Sequence, residues 1–173
     1  MNLSPVSILP AKQYDLMLDI NSRGTYLVSR HCIPHLKKGA NSHIITMSPP
    51  LSLDKKWFSH FAPYTLSKFG MSMITMGLSE ELKKDGIAAN CLWPRTTIAT
   101  AAVKNILGGE ELMNKSRKPE ILADAAYFIL GRNSREHTGN FYIDDEVLAS
   151  EGITDLAKYS QVPGAELMPD IFL

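Results

Sequence analysis

The sequence predicts an α/β fold organised around a parallel sheet, and two observations carry this prediction. Residues 42–48 and 87–93 are short apolar runs with the length and composition of buried strands. Between them, residues 64–84 follow a long helical pattern of apolar positions. A strand, a helix and a second strand in that order form a βαβ unit, whose crossover is almost always right-handed.

The remaining elements follow in order along the chain. An earlier helix is expected over residues 14–37, and the helix between the two apolar runs ends at Gly86. Pro94 stops the second strand, because proline has no N–H to donate to a ladder. A third cycle follows, with a helix over residues 119–130 that carries proline in its first turn and a strand within residues 137–148 after a Thr-Gly turn.

The strongest candidate for chemistry is a tyrosine followed four residues later by a lysine, Tyr64 and Lys68. Residues four apart on a helix lie on one face, so the ammonium group can sit close to the phenol. A tyrosine normally titrates near pH 10, and a nearby cation lowers that value. A more acidic phenol can donate a proton to a carbonyl or accept one from an alcohol.

Six segments of the chain, in order between residues 15 and 145, carry a resemblance to a known family. They read DINSRGTYLVSRHCIPHL, HIITMS, YTLSKFG, GIAANCLWP, ADAAYFIL and TGNFYID. In these segments the chain resembles the short-chain dehydrogenase/reductase family, and its tail and the double proline of MSPP resemble the hydroxysteroid dehydrogenase-like branch. The resemblance implies the C-terminal part of a Rossmann-type doubly wound parallel sheet, arranged as three α/β/α layers.

The family's catalytic pattern carries over to three residues of this chain. The resemblance implies that Tyr64 is the general acid/base. It implies that Lys68 lowers the pKa of that phenol and holds the ribose hydroxyls of the nicotinamide cofactor. Asn21, in the DIN-x-x-G segment, matches the helix asparagine that holds a water in the proton relay. These three side chains are therefore expected to lie together.

A loop after the second strand is expected to contact the cofactor. Pro94, Ile98 and Thr100 match the family residues that approach the nicotinamide amide. The chain departs from the pattern in having Arg95 where the family usually has glycine, and in carrying one extra residue before Ile98.

The serine that usually polarises the substrate oxygen has two candidates. Family members often end the strand with two serines, whereas this strand ends in Ser48 and Pro49. Ser48 lies sixteen residues before Tyr64 and Ser52 lies twelve before it. Ser48 is the favoured candidate, and Ser52 remains the alternative.

The resemblance implies an oxidoreductase that uses NADP or NAD to interconvert a carbonyl and a secondary alcohol. It implies a lipid-like substrate, steroid or fatty-acyl, and a homo-oligomer that pairs through the helices over residues 14–37 and 64–84. The residues 101–118 match the family's mobile lid over the substrate.

The chain contains no G-x-x-x-G-x-G or G-x-G-x-x-G segment, the glycine-rich turn that receives the pyrophosphate. The N-terminal βαβ unit with this turn is thus expected to be missing from these residues. Three explanations stay open: a part of a longer protein, a truncated isoform, or a domain that no longer binds cofactor. The competing function is accordingly a non-catalytic remnant that acts as an interaction or dimerisation partner.

Composition excludes several other classes. Eighteen acidic and eighteen basic residues give zero formal charge, so neither nucleic acid nor an anionic membrane surface is an expected partner. No apolar stretch approaches the roughly 18 residues that span a bilayer, and the N-terminus lacks the pattern of a signal peptide. His31 and His35 stand four apart without a third ligand, so no metal site is expected.

Two cysteines and no leader favour a reducing, intracellular and cytoplasmic location, with mitochondria or peroxisomes as alternatives by resemblance. For domain organisation, residues 1–146 are expected to form the C-terminal part of the dehydrogenase-like domain. Residues 147–173 lose the alternation of strand and helix and are expected to be an extension that packs on the same domain.

Overall fold

The computed structural model describes residues 1–173. Its helices are α1 Ala11–Leu18, α2 Gly24–Leu36, α3 Ala62–Glu81, α4 Gly109–Asn114, α5 Glu120–Gly131 and α6 Asp144–Ser150. The strands are β1 Ser42–Met47, β2 Ile87–Trp93 and β3 Phe141–Ile143. None of the helices is both long and apolar enough to cross a lipid bilayer.

The three strands form one parallel sheet in the order β1-β2-β3, which confirms the predicted α/β class. The central strand β2 is buried at every position, as expected for a strand covered on both faces. Both predicted strand runs are found, with β2 ending at Trp93 directly before Pro94.

The chain divides into two compact units. The first contains residues 1–91 and 132–141, and the second contains residues 92–131 and 142–173. The expected boundary at residue 146, between a domain and its extension, stays a prediction.

In the first unit, the helix predicted over residues 14–37 is longer and interrupted. It begins at Ala11, and a single π-helical turn over Asp19–Arg23 separates α1 from α2. A π turn inserts an extra residue into the helix and turns the side chains that follow. Such turns occur often at functional sites, and Asn21 lies within this one.

Helix α3 has clear start and stop signals in the sequence. Pro63 stands in its first turn, where the missing N–H costs nothing. A short 3₁₀ segment, Lys83–Asp85, follows its end and leads into Gly86, which adopts the left-handed conformation at φ 71°. This glycine reverses the chain into β2.

The second unit has its own hydrophobic core. Ile98, Ile121, Leu148 and Tyr159 are buried together, with α5 and α6 supplying two of these side chains. Residues 101–118 fold into a π-helical turn, Val103–Leu107, and the short helix α4. After α6, a 3₁₀ turn at Ala157–Tyr159 carries Tyr159 into this core.

Candidate active site

Asn21, Tyr64 and Lys68 line one cleft in the first unit. The remaining walls are apolar and come from Met1, Leu16, Met17 and Ile20. The cleft has a volume of about 230 Å³, below the roughly 300 Å³ of typical small-molecule pockets. It has room for one ring with its polar substituents and not for a whole dinucleotide.

Helix α3 presents Tyr64 and Lys68 on the same face, as their four-residue spacing predicts. Tyr64 is 6% exposed, so its ring is largely packed in the protein. The Lys68 ammonium donates a hydrogen bond of 3.0 Å to the carbonyl of Met47, the last residue of β1. This bond ties the lysine to the carboxyl end of a parallel strand, where ligands bind in open α/β sheets.

Two hydrogen bonds fix the π turn against α3. The Asn21 amide donates to the Ser67 hydroxyl at 3.0 Å, and the Ser22 hydroxyl donates to the Ser67 carbonyl at 2.8 Å. Ser67 in turn donates to the carbonyl of Tyr64 at 2.8 Å. The side chain of Asn21 is thereby connected to the backbone turn that carries the tyrosine.

A glycine allows the close approach of these two elements. A Cβ atom on Gly70 would lie 2.3 Å from the Ser22 hydroxyl oxygen and 3.1 Å from its Cβ. The first distance is shorter than real Cβ contacts, so a larger residue fits only if the Ser22 side chain rotates away from the Ser67 carbonyl or the π turn moves. Gly77, seven residues and about two turns further along α3, has nothing within 4 Å of the same added atom.

The loop before α3 packs on the helix through aromatic rings. Phe58 meets Phe69 at 6.0 Å between ring centroids, and Phe61 meets Tyr64 at 6.5 Å, both edge to face. Lys56 lies over the ring of Trp57 at 4.3 Å. These contacts hold the loop against α3, and the contact with Phe61 helps to orient the ring of Tyr64.

Ser48 is not among the residues that line the cleft. It is fully buried, and its hydroxyl has no hydrogen-bond partner beyond the weakly polar thiol of Cys91. Burial raises the pKa of the Cys91 thiol, and the nearby hydroxyls of Ser48, Thr75 and Ser72 act in the opposite direction. The alternative candidate, Ser52, accepts a hydrogen bond from the Asp54 backbone N–H at 3.2 Å in the loop. The serine role therefore stays a prediction.

The expected cofactor loop lies in the second unit. Pro94 is buried, Ile98 belongs to the hydrophobic core, and Thr100 is exposed. Thr100 accepts hydrogen bonds from the backbone of Val103 and Lys104 and so begins the following helical turn. Of these three residues, only Thr100 has a side chain open to solvent.

Arg95, the residue that departs from the family pattern, is held by acidic side chains. Its guanidinium contacts Asp145 at 3.2 Å and also pairs with Glu146. Its backbone N–H donates to the buried carboxylate of Asp144 at 2.9 Å. Burial raises the pKa of the Asp144 carboxyl, while hydrogen bonds from the Arg95 and Asp145 backbones act in the opposite direction.

Sequence reasoning did not find several residues that build this site. Ser67 and Gly70 position the π turn, and the Met47 carbonyl anchors Lys68. Part of the apolar wall has a signal in the sequence, because Met17 stands four residues before Asn21 in the helix predicted over residues 14–37. No local pattern predicts the contact between Asn21 and Ser67, because the two residues are 46 positions apart in the sequence.

The arrangement combines a phenol, an ammonium and a carboxamide in a small cleft with apolar walls. A phenol can move a proton, and a cation close to it favours its anion. The apolar walls suit a flat ring, and removal of water there strengthens each electrostatic contact.

Comparison with known proteins gives the family. The short chain dehydrogenase family matches residues 1–110. Hydroxysteroid dehydrogenase-like protein 2 of Xenopus laevis is 52% identical over 162 residues, which cover 94% of this chain and 38% of that protein. The protein of the same name from Danio rerio is 49% identical over 173 residues, covering 100% of this chain and 41% of that protein. The chain thus spans about two fifths of the length of these relatives.

Solved structures agree with this assignment. A short chain dehydrogenase from Mycobacterium thermoresistibile is 50% identical with a TM-score of 0.92, covering 100% of this chain and 61% of that chain. A Xanthomonas campestris structure is 44% identical with a TM-score of 0.95, covering 100% and 63%. A 4-hydroxyisoleucine dehydrogenase complexed with NADH shares the fold alone, with 17% identity, a TM-score of 0.64 and coverage of 82% and 62%. The chain belongs to the short-chain dehydrogenase/reductase family and, within it, to the hydroxysteroid dehydrogenase-like branch.

Proposed function

We propose that the complete protein is an oxidoreductase that uses NAD or NADP to interconvert a carbonyl and a secondary alcohol. The single observation that carries this proposal is the shared cleft of Asn21, Tyr64 and Lys68. Family membership supports the oxidoreductase class, and the cleft supplies the groups that such a reaction needs.

In the proposed reaction, each of the three residues has its own role. The nicotinamide, when bound, supplies or accepts the hydride at the substrate carbon. Tyr64 gives its phenolic proton to the carbonyl oxygen during reduction and takes the proton back during oxidation. Lys68 stabilises the tyrosine anion by its charge, and Asn21 orients the hydrogen bonds around this pair.

The cleft residues fit the nicotinamide end of such a cofactor. The phenol of Tyr64 and the ammonium of Lys68 suit the hydroxyl groups of a ribose, and Leu16, Met17 and Ile20 suit the face of a ring. A bound nicotinamide in the 4-hydroxyisoleucine dehydrogenase of the same fold supports this cofactor class. Pro94, Ile98 and Thr100 remain the proposed contacts to its amide group.

The proposed substrate is lipid-like, either a steroid or a fatty-acyl compound. The name of the relatives, hydroxysteroid dehydrogenase-like, supports the first class. The apolar side chains of the segment expected to form the lid support both, and Ile106 within it is 57% exposed. Panels of steroid and acyl carbonyls distinguish the two by their kcat/KM values.

A second copy of the chain is the proposed partner. An open groove runs between α2 and α3, with apolar walls that include Ile33, Ile74 and Leu78. Arg30 and Glu81 line the same groove and bring opposite charges to it. A two-fold pairing would place Arg30 of one protomer against Glu81 of the other, which is the self-complementarity that such an interface requires.

We also propose a reducing intracellular compartment, the cytoplasm first. Both cysteines are free, Cys32 on an exposed face of α2 and Cys91 buried in β2. An exposed free thiol is typical of proteins that stay in a reducing environment. Localisation of the tagged complete protein tests this directly.

The proposal is tested by cofactor titration of the complete protein. Quenching of intrinsic fluorescence by NADH and NADPH should saturate, and carbonyl reduction should then consume the bound nucleotide. Absence of binding to both nucleotides would contradict the proposal. The alternative role, a non-catalytic partner that associates through its helix surface, would then account for the chain.

A further inference from the structure

Residues 168–172, here called the strap, run along the segment that follows β2. The backbone N–H of Thr97 donates to the Met168 carbonyl at 2.9 Å, and the Asp170 N–H donates to the Arg95 carbonyl at 3.1 Å. Between these bonds, Thr96 and Pro169 form an antiparallel bridge. The strap therefore pairs with this segment as a short strand would.

A buried aromatic contact closes the end of the strap. The indole N–H of Trp93 donates to the Ile171 carbonyl at 2.8 Å, and its ring lies 6.0 Å from that of Phe172. Phe172 is 4% exposed and thus belongs to the buried part of this unit. It is also the one non-glycine residue with positive φ, at 80°.

A positive φ is an unfavourable backbone conformation for a bulky residue such as Phe172, and it persists only where surrounding contacts stabilise it. The indole bond and the ring contact supply that hold. Backbone outliers of this kind cluster at clamps and functional sites, so the strap is a candidate for a positioning role.

The same segment is fixed from its other side as well. Arg117 donates from its backbone N–H to the Thr97 carbonyl at 2.9 Å and accepts from Ala99 N–H at 2.8 Å. The carboxylate of Asp144 accepts the Arg95 N–H. With the strap on one side and Arg117 on the other, residues 95–99 have few backbone groups left to move independently.

We propose that the strap positions the segment Pro94–Thr100 for contact with the cofactor, and that Trp93 and Phe172 are its positioning residues. This inference rests on the proposed function, because it assigns a purpose to the loop expected to meet the nicotinamide amide. Loss of the strap frees Thr97 and Arg95 from their backbone partners and lets the loop leave its binding position.

Two variants of the complete protein test the inference. Trp93→Phe removes the indole N–H and keeps a ring, whereas Phe172→Ala removes the buried ring. Both should speed amide exchange in residues 95–100 by about tenfold. A tenfold change corresponds to a local opening equilibrium that has lost the net contribution of about one hydrogen bond. Exchange in the preceding part of β2, residues 87–92, should stay at its wild-type rate.

Cofactor affinity provides the second measurement. Both variants should weaken NADH or NADPH binding by about tenfold through a less ordered loop, with kcat changed less than KM. Phe172→Leu, which retains most of the buried apolar volume, should restore both affinity and exchange protection. Val162→Ala, at an exposed tail position outside the strap, is the matched control and should change neither.

The outcomes separate this inference from the proposed function. If wild-type protein binds cofactor and both variants bind equally well with unchanged loop exchange, the strap inference is wrong and the proposed function stands. If exchange rises everywhere together with a lower melting temperature, the strap acts only in global stability and the inference is again wrong. If wild-type protein binds neither nucleotide, the proposed function fails, and the exchange comparison still tests whether the strap orders the loop.

Discussion

Ser48 is the favoured candidate for the serine role, and its buried hydroxyl also affects the stability of the fold. Its buried hydroxyl has no hydrogen-bond partner other than the weakly polar thiol of Cys91. An unsatisfied buried hydroxyl destabilises the fold, since its bonds to water are lost without replacement. Ser48→Ala should therefore raise the free energy of unfolding by about 1 kcal/mol. Urea denaturation measures this change, and a loss of stability would show that the hydroxyl has a strong partner.

His43 makes the fold sensitive to acid. Its Nε2 lies 3.0 Å from the Arg132 carbonyl, and its buried Nδ1 has no partner. Burial lowers the pKa of His43 below the ordinary value of 6.5, the Arg132 bond opposes this shift, and His137 adds to it. Because the folded state binds this proton less readily than the unfolded state, the stability contributed by neutral His43 is lost as pH falls below about 6.5.

His43→Gln retains a donor for the Arg132 carbonyl and removes the titration. Free energies of unfolding between pH 7.5 and 5 should fall less steeply in this variant than in the wild type. His31→Gln, at an exposed position on α2, is the control and should keep the wild-type slope. Equal slopes for His43→Gln and wild type would contradict this account.

At the scale of elements, α3 carries two glycines with different surroundings. Gly70→Ala places a methyl group against Ser22 and should destabilise the fold by about 1–3 kcal/mol. It should also reduce activity, because displacement of Ser22 breaks its bond to the Ser67 carbonyl and loosens the π turn that carries Asn21. Gly77→Ala, the same change seven residues along, meets nothing within 4 Å and should stabilise the helix by about 0.5–1 kcal/mol. Thermal denaturation of both variants tests the contrast, and equal effects would refute the close approach.

The elements predicted from sequence are those whose signals are local. Strand β2 is a continuous apolar run that ends before Pro94, and α3 has proline at its start and Gly86 after its end. The π turn at Asn21 has no such signal, because its hydrogen bonds go to Ser67 on a distant helix. Long-range contacts decide such features, and one sequence does not display them.

The candidate site likewise contains some features that the sequence predicts and others that depend on long-range contacts. The helical repeat predicts that Tyr64 and Lys68 share a face, and both line the cleft. The position of Ser48 was not predictable, because its burial depends on β2 and α3 packing around it. The pairing of the strap with Arg95 and Thr97 joins residues about 70 positions apart, which no local pattern encodes.

At the scale of the whole molecule, the proposed pairing of two protomers through the groove between α2 and α3 can be tested by charge reversal. Arg30→Glu should weaken self-association by on the order of tenfold or more, because like charges would then face each other across the two-fold axis. Glu81→Arg should have the same effect, and the double variant should restore association. Sedimentation measures all four proteins, and equal association in each would exclude this groove as the interface.

The central claim, that Tyr64 moves the proton in carbonyl and alcohol interconversion, is tested most directly by turnover of Tyr64→Phe in the complete protein. The variant keeps the ring and its contact with Phe61 but lacks the hydroxyl. Tyr127→Phe, at a position 74% exposed on α5, makes the same chemical change away from the cleft. We expect kcat to fall by roughly 100-fold or more in Tyr64→Phe with cofactor affinity largely kept, and no change in Tyr127→Phe. Wild-type kcat in Tyr64→Phe would contradict the account.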